Sequence, residues 1–421
     1  MTSAEPPSPI NQIFLEQAET LSRGGELLPG GVSELARRLQ QATETGIPLK
    51  VKLGLDPTRP DLHLGHTVVL RKMRAFQDLG HQAILIIGDA TAMIGDPSGR
   101  TVTRPPLTDA EVQANAQTYL EQAGKVIDIR KASIVRNSEW LSGLKLEDFL
   151  KLAAKVTVAQ IIAREDFSTR LKENRPISLH ELFYPLMQGY DSVVVEADIE
   201  LGGTDQRFNN LMGRELQLAY AQGAASNPQM VLLMPLLEGT DGKIKMSKSY
   251  PDHCINLTDM PEDMYGKLMS TPDTMIARYE LLLGLLNEEQ IAEQQQQFES
   301  GGLNPRDIKM HLAKYLVSQY HGPDAGEQAE QAFITRFQKR DIPEEMPEIV
   351  LKANTPVILT VFMLEQALAP SRNEARRLIQ GGGVKLDGQK VDDLDALLHG
   401  TAETSQVLQV GKRKFLRLRF V

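Results

Sequence analysis

At 421 residues, with 41% hydrophobic and 24% charged positions, the chain has room for two or three domains, and no apolar run approaches the ~18 residues of a membrane span. One cysteine, Cys254, excludes a disulfide framework or cysteine-built zinc cluster and points to a reducing cytoplasm, while MTSAEPPSPINQ lacks the basic and apolar regions of a secretory signal. A net charge of −9 excludes a protein that coats nucleic acid with its whole surface, yet residues 355–421 hold ten Lys/Arg against seven Asp/Glu, a balance of +3 that leaves −12 for residues 1–354.

Strand-like and helix-like segments alternate through the first part. Leu49 to Leu55 is a short apolar run ending in the turn Asp56-Pro57-Thr58-Arg59-Pro60. Leu64 to Leu79 spaces Val69, Met73, Phe76 and Leu79 for one helical face, with Gly80 as the stop. QAILII (Gln82 to Ile87) reads as a buried strand running into Gly88-Asp89. Ser192 to Leu201, running into Gly202-Gly203-Thr204-Asp205, and Val231 to Leu237 are further strand candidates. This order predicts a Rossmann-like α/β fold, a parallel sheet wrapped by helices that binds ligands beyond its strands' carboxyl ends. From about Pro261 to Arg340 leucine, glutamine and glutamate dominate and several helices are expected. Asp341 to Pro356, with three prolines, reads as a linker.

The last module is expected to be small and mixed α+β. It opens with a helix at Val361 to Leu368, followed by Arg372 to Gln380 behind the capping-box pair Ser371 and Glu374. Short strands flank a Leu-Asp-Gly-Gln turn in Val384 to Val391. The tail GKRKFLRLRFV alternates basic and apolar residues as an edge strand with one wet, positive face.

Two elements carry chemistry. His63 and His66 of HLGH sit three apart at a loop-to-helix junction, on one face of the first turn, where free N–H groups already attract anions. Gly65 between them clears room for a flat base. Taken alone, H-x-G-H also suits surface histidines beside a cap. The second element, Lys243 to Ser249 (KIKMSKS), gathers three lysines and two serines after a strand, suited to a triphosphate and its departing pyrophosphate, or simply to a solvated turn.

HLGH and KMSKS together resemble the signatures of class I aminoacyl-tRNA synthetases. LGLDPTRPDLHLGH, IGDPSGR, YPLMQGYDS and LGGTDQRFN, in this order, are similar to bacterial tyrosyl-tRNA synthetases over nearly the whole chain, and the C-terminal module resembles the S4 RNA-binding domain. The resemblance implies a Rossmann-like catalytic domain (1–240), the KMSKS loop (241–260), an α-helical tRNA-binding domain (261–340), a linker (341–356) and an S4-like domain (357–421). It implies a tyrosine–tRNA ligase using ATP, with Mg²⁺ carried by ATP, no protein-held metal or prosthetic group, and tRNA(Tyr) as partner. A cytoplasmic homodimer joined through roughly 120–170 is also implied.

By the same resemblance, His63, His66, Lys245 and Lys248 stabilise the transition state. ATP lies against Gly54, Asp56, Thr58, Gly65, Gly202, Gly203, Asp205, Gln206, Met246 and Ser247. Tyr184 and Gln188 hold the substrate's α-amino group with Asp96, Asp191 accepts the phenol proton, and Gln206 contacts the adenylate. Tyr184, Gln188 and Asp191 fall four and three apart, one helix face. Arg372, Arg376, Arg377, Lys412, Arg413 and Lys414 hold RNA phosphates. Lys52 stands where many bacterial members place a second phenol-contacting tyrosine. Rival readings are a tryptophanyl synthetase, a small-molecule nucleotidyltransferase and an RNA-binding protein with an inactive synthetase body.

Overall fold

The computed structural model describes residues 9–97, 108–221, 227–247, 250–300, 302–340, 346–411 and 414–421. They divide into two compact units, 1–330 and 331–421.

In the first unit, six strands among the described residues form one sheet: β1 (Glu26–Leu28), β2 (Lys50–Leu55), β3 (Gln82–Ile87), β4 (Ser133–Arg136), β5 (Ile199–Gly203) and β6 (Met230–Met234). The order is β1-β6-β5-β2-β3-β4, parallel throughout except that β1 runs antiparallel to β6. β3 and β6 are continuous apolar runs, as expected of strands covered on both faces. From β2 the chain moves one way to β3 and β4, whereas β5 and β6 extend the other way. The switch point is therefore between β2 and β5, where a parallel sheet leaves a crevice for ligands.

The Leu64–Asp78 helix follows β2, buries Leu64, Val68, Met73 and Phe76, and stops before Gly80, whose φ of +85° suits a glycine after a helix end. The strand expected over Ser192 to Leu201 starts later. Ser192 to Val195 finish the Tyr184–Val195 helix, Glu196 adopts left-handed φ of +52°, and β5 begins at Ile199. The β-branched Val-Val-Val run suits a strand, but packing decides otherwise. A Cβ at Gly189 would stand 2.9 Å from Leu216, so this helix lies close against Arg207–Tyr220.

Helices Pro261–Ser270, Ile276–Leu282, Glu288–Glu299, Pro305–His321 and Pro323–Arg340 occupy the region read as helical. All but the end of the last belong to the first unit.

The second unit contains β7 (Glu348–Leu351), β8 (Val357–Ile358), β9 (Val384–Leu386), β10 (Gln389–Lys390), β11 (Leu397–Leu398), β12 (Ser405–Val410) and β13 (Lys414–Phe420), with helices Leu359–Glu365 and Arg372–Gln380. Ser371 Oγ accepts from Glu374 N at 3.2 Å and caps the second helix. Asp387 and Gly388, both at positive φ, make the tight β9–β10 turn. The tail is not an edge strand. β13 pairs with β12 on one side and in parallel with β7 on the other, burying Leu416, Leu418 and Phe420 while Arg417 and Arg419 alternate outward. The stretch read as a linker supplies that covering strand β7, because alternating Ile349 and Leu351 pack on the unit's core.

Candidate active site

Both signatures face one cleft. His63 is the N-cap of the Leu64–Asp78 helix, and His66 Nδ1 accepts from the His63 backbone N–H at 3.2 Å. The two imidazoles stand 4.0 Å apart between ring centres. The KMSKS side is laced to them by backbone bonds. Leu64 N donates to Ile255 O at 3.0 Å and Leu257 N to Leu62 O at 2.9 Å, while Met246 N donates to Leu237 O at 2.8 Å and holds the loop to the segment after β6. A Cβ on Gly65 would stand 3.0 Å from the His63 ring, so glycine makes room for that imidazole, and it would be in ordinary contact with Met246 at 3.9 Å. Cys254 Sγ donates to Ser247 O at 3.0 Å under the loop. His63, Gly65, His66, Lys245, Met246 and Ser247 all line a cleft of about 270 Å³, whereas Lys248 and Ser249 lie outside the described residues.

The deep end of that cleft is acidic and buried. Tyr184 Oη donates to Asp56 Oδ2 at 2.9 Å and Thr91 Oγ1 to Asp56 Oδ1 at 2.8 Å. A Cβ at Gly88 would meet Asp56 Oδ1 at 2.0 Å, which fixes glycine there. Burial pushes the Asp56 carboxyl up to about 7; the Thr91 hydroxyl opposes this, Asp96 adds to it, the Tyr184 hydroxyl opposes, and Asp191 adds. Asp191 accepts from Trp140 Nε1 at 2.9 Å and Asn137 Nδ2 at 3.3 Å. Burial raises its carboxyl to about 7, while the Lys52 ammonium and those two donors pull it down. Asp56 therefore enters folding with its proton held longer than in the unfolded chain, and stability falls as pH rises from about 4 to 7. Asp56→Asn is expected to flatten that fall, and the thermal midpoints of variant and parent between pH 5 and 8 measure it.

Lys52 is fully buried and does not enter the phenol site. Its Nζ donates to Glu200 Oε1 at 2.9 Å, Ser192 Oγ at 2.7 Å and the Gln188 carbonyl at 3.2 Å, one acceptor for each proton. Lys52 and Glu200 stand opposite each other across β2 and β5 at the switch point. Ser192 Oγ also donates to Glu200 Oε2 at 3.0 Å.

Nearer the cleft mouth, Gln206 Nε2 donates to Asp96 Oδ2 at 2.8 Å, and buried Arg164 lies 3.5 Å from Asp96 Oδ1 and donates to Asn209 Oδ1 at 2.9 Å. Lys245 Nζ pairs with Asp205 Oδ2 at 3.0 Å, tying the KMSKS loop to the loop after β5. Added Cβ atoms would clash with the Asn210 side chain at Gly202 (2.4 Å) and with Asp205 at Gly203 (2.7 Å), but would meet nothing within 4 Å at Gly54. Gly202 and Gly203 thus serve the turn, and Gly54 leaves the cleft open. Gly54, Asp56, Thr58, Asp96, Tyr184, Gln188, Asp191, Gly202, Gly203, Asp205 and Gln206 all border this same cleft. Ser98, Gly99 and Arg100 of the IGDPSGR segment lie outside the described residues.

Sequence reasoning missed Glu200, Trp140, Asn137, Thr91 and Arg164. Only Glu200 had a readable signal: it is the lone charge in an otherwise apolar strand, and a charge there asks for a buried counter-charge. In the second unit Arg372, Arg376 and Arg377 are exposed on one helix, and Lys414 Nζ donates to the Leu368 carbonyl at 3.2 Å. Lys412 and Arg413 lie outside the described residues.

The family model described as tRNA synthetases class I (W and Y) matches residues 44–338, and that of the S4 domain matches 359–403. Fold and cleft are thus those of a class I aminoacyl-tRNA synthetase. Tyrosine–tRNA ligases of Moorella thermoacetica and Carboxydothermus hydrogenoformans are 50% and 48% identical, covering 97% and 98% of this chain and 97% and 99% of theirs. The chain belongs to the tyrosine–tRNA ligase family. The crystal structure of the Archaeoglobus fulgidus tyrosyl-tRNA synthetase complexed with L-tyrosine shares the fold at a TM-score of 0.60 and 23% identity, over 75% of this chain and 99% of that one. Membership makes the protein a ligase of tRNA aminoacylation with ATP as substrate.

Proposed function

We propose that this chain condenses tyrosine with ATP to tyrosyl-adenylate and pyrophosphate, then transfers tyrosine to the 3′ end of tRNA(Tyr). The observation that carries the reading is one cleft lined by His63, His66 and Lys245 together with the buried Asp191. Tyrosine's carboxylate is already ionised, so it attacks the α-phosphorus in line without a protein base. Catalysis is then positioning plus charge stabilisation by His63, His66, Lys245 and Lys248. Asp205, released from Lys245, accepts from ribose hydroxyls. Tyr184, Gln188 and Asp96 face the α-amino group. Gln206, held by Asp96, turns toward the adenylate. Mg²⁺ arrives with ATP as part of the substrate.

No helix among the described residues is long and apolar enough to cross a membrane. A cytoplasmic site of action follows from the chemistry, because tRNA charging serves translation. Homodimer formation is supported by Leu146, Leu150, Val158, Leu171 and Leu179, large apolar side chains left 55–73% exposed in and beside the 120–170 segment. Sedimentation showing a monomer at micromolar concentration contradicts that assembly.

The outward arginines of the Arg372–Gln380 helix, with Lys412, Arg413 and Lys414, are proposed to hold tRNA phosphates, which makes charging sensitive to salt. ATP–pyrophosphate exchange with each aromatic amino acid tests the central reading: exchange is expected with tyrosine alone. Exchange driven by tryptophan overturns it. Removal of residues 355–421 is expected to leave that exchange unchanged and to lower charging at least tenfold; full charging by the shortened chain contradicts the RNA role.

A further inference from the structure

A second cavity, of about 320 Å³, opens between Thr20 and Arg23 at the end of the Gln12–Ser22 helix, Lys72 on the Leu64–Asp78 helix, and the turn from Leu281 to Gln290. Its lining contains two cations and no carboxylate. Neither Arg23 nor Lys72 has a hydrogen-bond or ion-pair partner among the described residues. Burial, and then the like charge of Arg23, lower the Lys72 ammonium to about 8.

The facing wall offers more donors. Asn287 Oδ1 accepts from Gln290 N at 2.9 Å and Gln290 Oε1 accepts from Asn287 N at 2.9 Å, a reciprocal cap on the Glu288–Glu299 helix. Both side-chain oxygens are thereby used, and both amide NH₂ groups remain without a protein acceptor among the described residues. A third cation stands close by: Arg71, whose guanidinium donates to Gln319 Oε1, has Nη1 3.3 Å from where a Cβ on Gly284 would sit. Lys72 is half-buried and Arg23 is exposed at the rim, so their like charge is partly screened by water, and an anion between them relieves what remains.

We propose that this cavity binds a small phosphate-type oxyanion, either free or as the terminal group of a small molecule. Arg23 and Lys72 supply charge, and Asn287 and Gln290 supply N–H donors. A cavity of this size suits such a ligand rather than a length of nucleic acid. Lys72 follows His63 by nine residues on one helix, about 13 Å along its axis, so the site is separate from the main cleft. The assignment does not rest on the chemistry proposed there.

Equilibrium dialysis with inorganic phosphate, and separately with pyrophosphate, tests it on the full chain and on Arg23→Gln/Lys72→Gln. The parent is expected to bind one more anion per chain than the double variant, or the same anion at least tenfold more tightly. Equal binding by both proteins overturns the proposal. Thermal midpoints guard against misfolding of the variant. In phosphate-free buffer the double variant is expected to melt at or above the parent, because a like-charge contact is gone, and only the parent's midpoint should rise with phosphate. An equal rise in both contradicts the site. A saturating tRNA transcript should leave the bound phosphate in place; its displacement by RNA overturns the small-ligand assignment.

Discussion

Asp191→Ala is expected to lower kcat/KM for tyrosine by about 10³-fold or more and to collapse the preference for tyrosine over phenylalanine. The reason is the environment of this carboxylate. It is buried at the base of the cleft and oriented by Trp140 Nε1 and Asn137 Nδ2, each occupying one lone pair of a different oxygen. The remaining lone pairs can take a phenol proton, and a bound phenylalanine would leave them dry and unsatisfied. A site built to hydrogen-bond a hydroxyl rejects the analogue lacking it by about 10⁴–10⁵, a range that tyrosyl enzymes themselves define. With alanine there is no acceptor to strand, and phenylalanine should lose little. Pyrophosphate exchange with both amino acids measures the ratio, and a ratio that survives the substitution removes Asp191 from the phenol site.

Lys52→Met is expected to destabilise the first unit by about 3–5 kcal/mol, since it leaves Glu200 charged, buried and without its cation. Glu200 would retain the Ser192 hydroxyl and the Gln229 amide as donors, which satisfy lone pairs but not charge. Lys52→Met/Glu200→Gln removes both charges and should recover most of the loss, visible as return of the urea midpoint. The single substitution also acts on function. Lys52's ammonium is the largest influence holding the Asp191 carboxyl down, so its loss should leave more Asp191 protonated at pH 7 and weaken tyrosine binding. A variant as stable as the parent contradicts the pairing.

Much of this site was legible in the sequence because its motifs are local. HLGH fixes a helix N-cap, GGTD a strand-to-helix turn, and the Y-x-x-x-Q-x-x-D spacing one helix face; each depends on a few neighbouring residues. What escaped was set by long-range packing. Trp140 and Asn137 approach Asp191 from the short helix Ser138–Leu141 and its N-cap after β4, more than fifty residues away, and nothing in SIVRNSEW announces that partner. Lys52 looked like a departure from the phenol-contacting pattern because its counter-charge lies 148 residues on, in β5. The strand limits at Ser192 and the edge position of the tail failed for a related reason. Val-Val-Val and FLRLRF both carry strand propensity, but neighbours decide whether such a run ends a helix or lies inside a sheet.

The most direct measurement is single-turnover adenylate formation by His66→Ala, set beside tyrosine affinity measured at equilibrium. The imidazole lines the cleft together with Met246 and Ser247 of the lysine loop, so it should act on developing charge at phosphorus and not on tyrosine. A rate lowered by about 10²–10³-fold, with tyrosine affinity unchanged within twofold, is the predicted result. An unaltered rate contradicts the account, because the histidine pair and the lysine loop would then share a cleft without sharing a triphosphate.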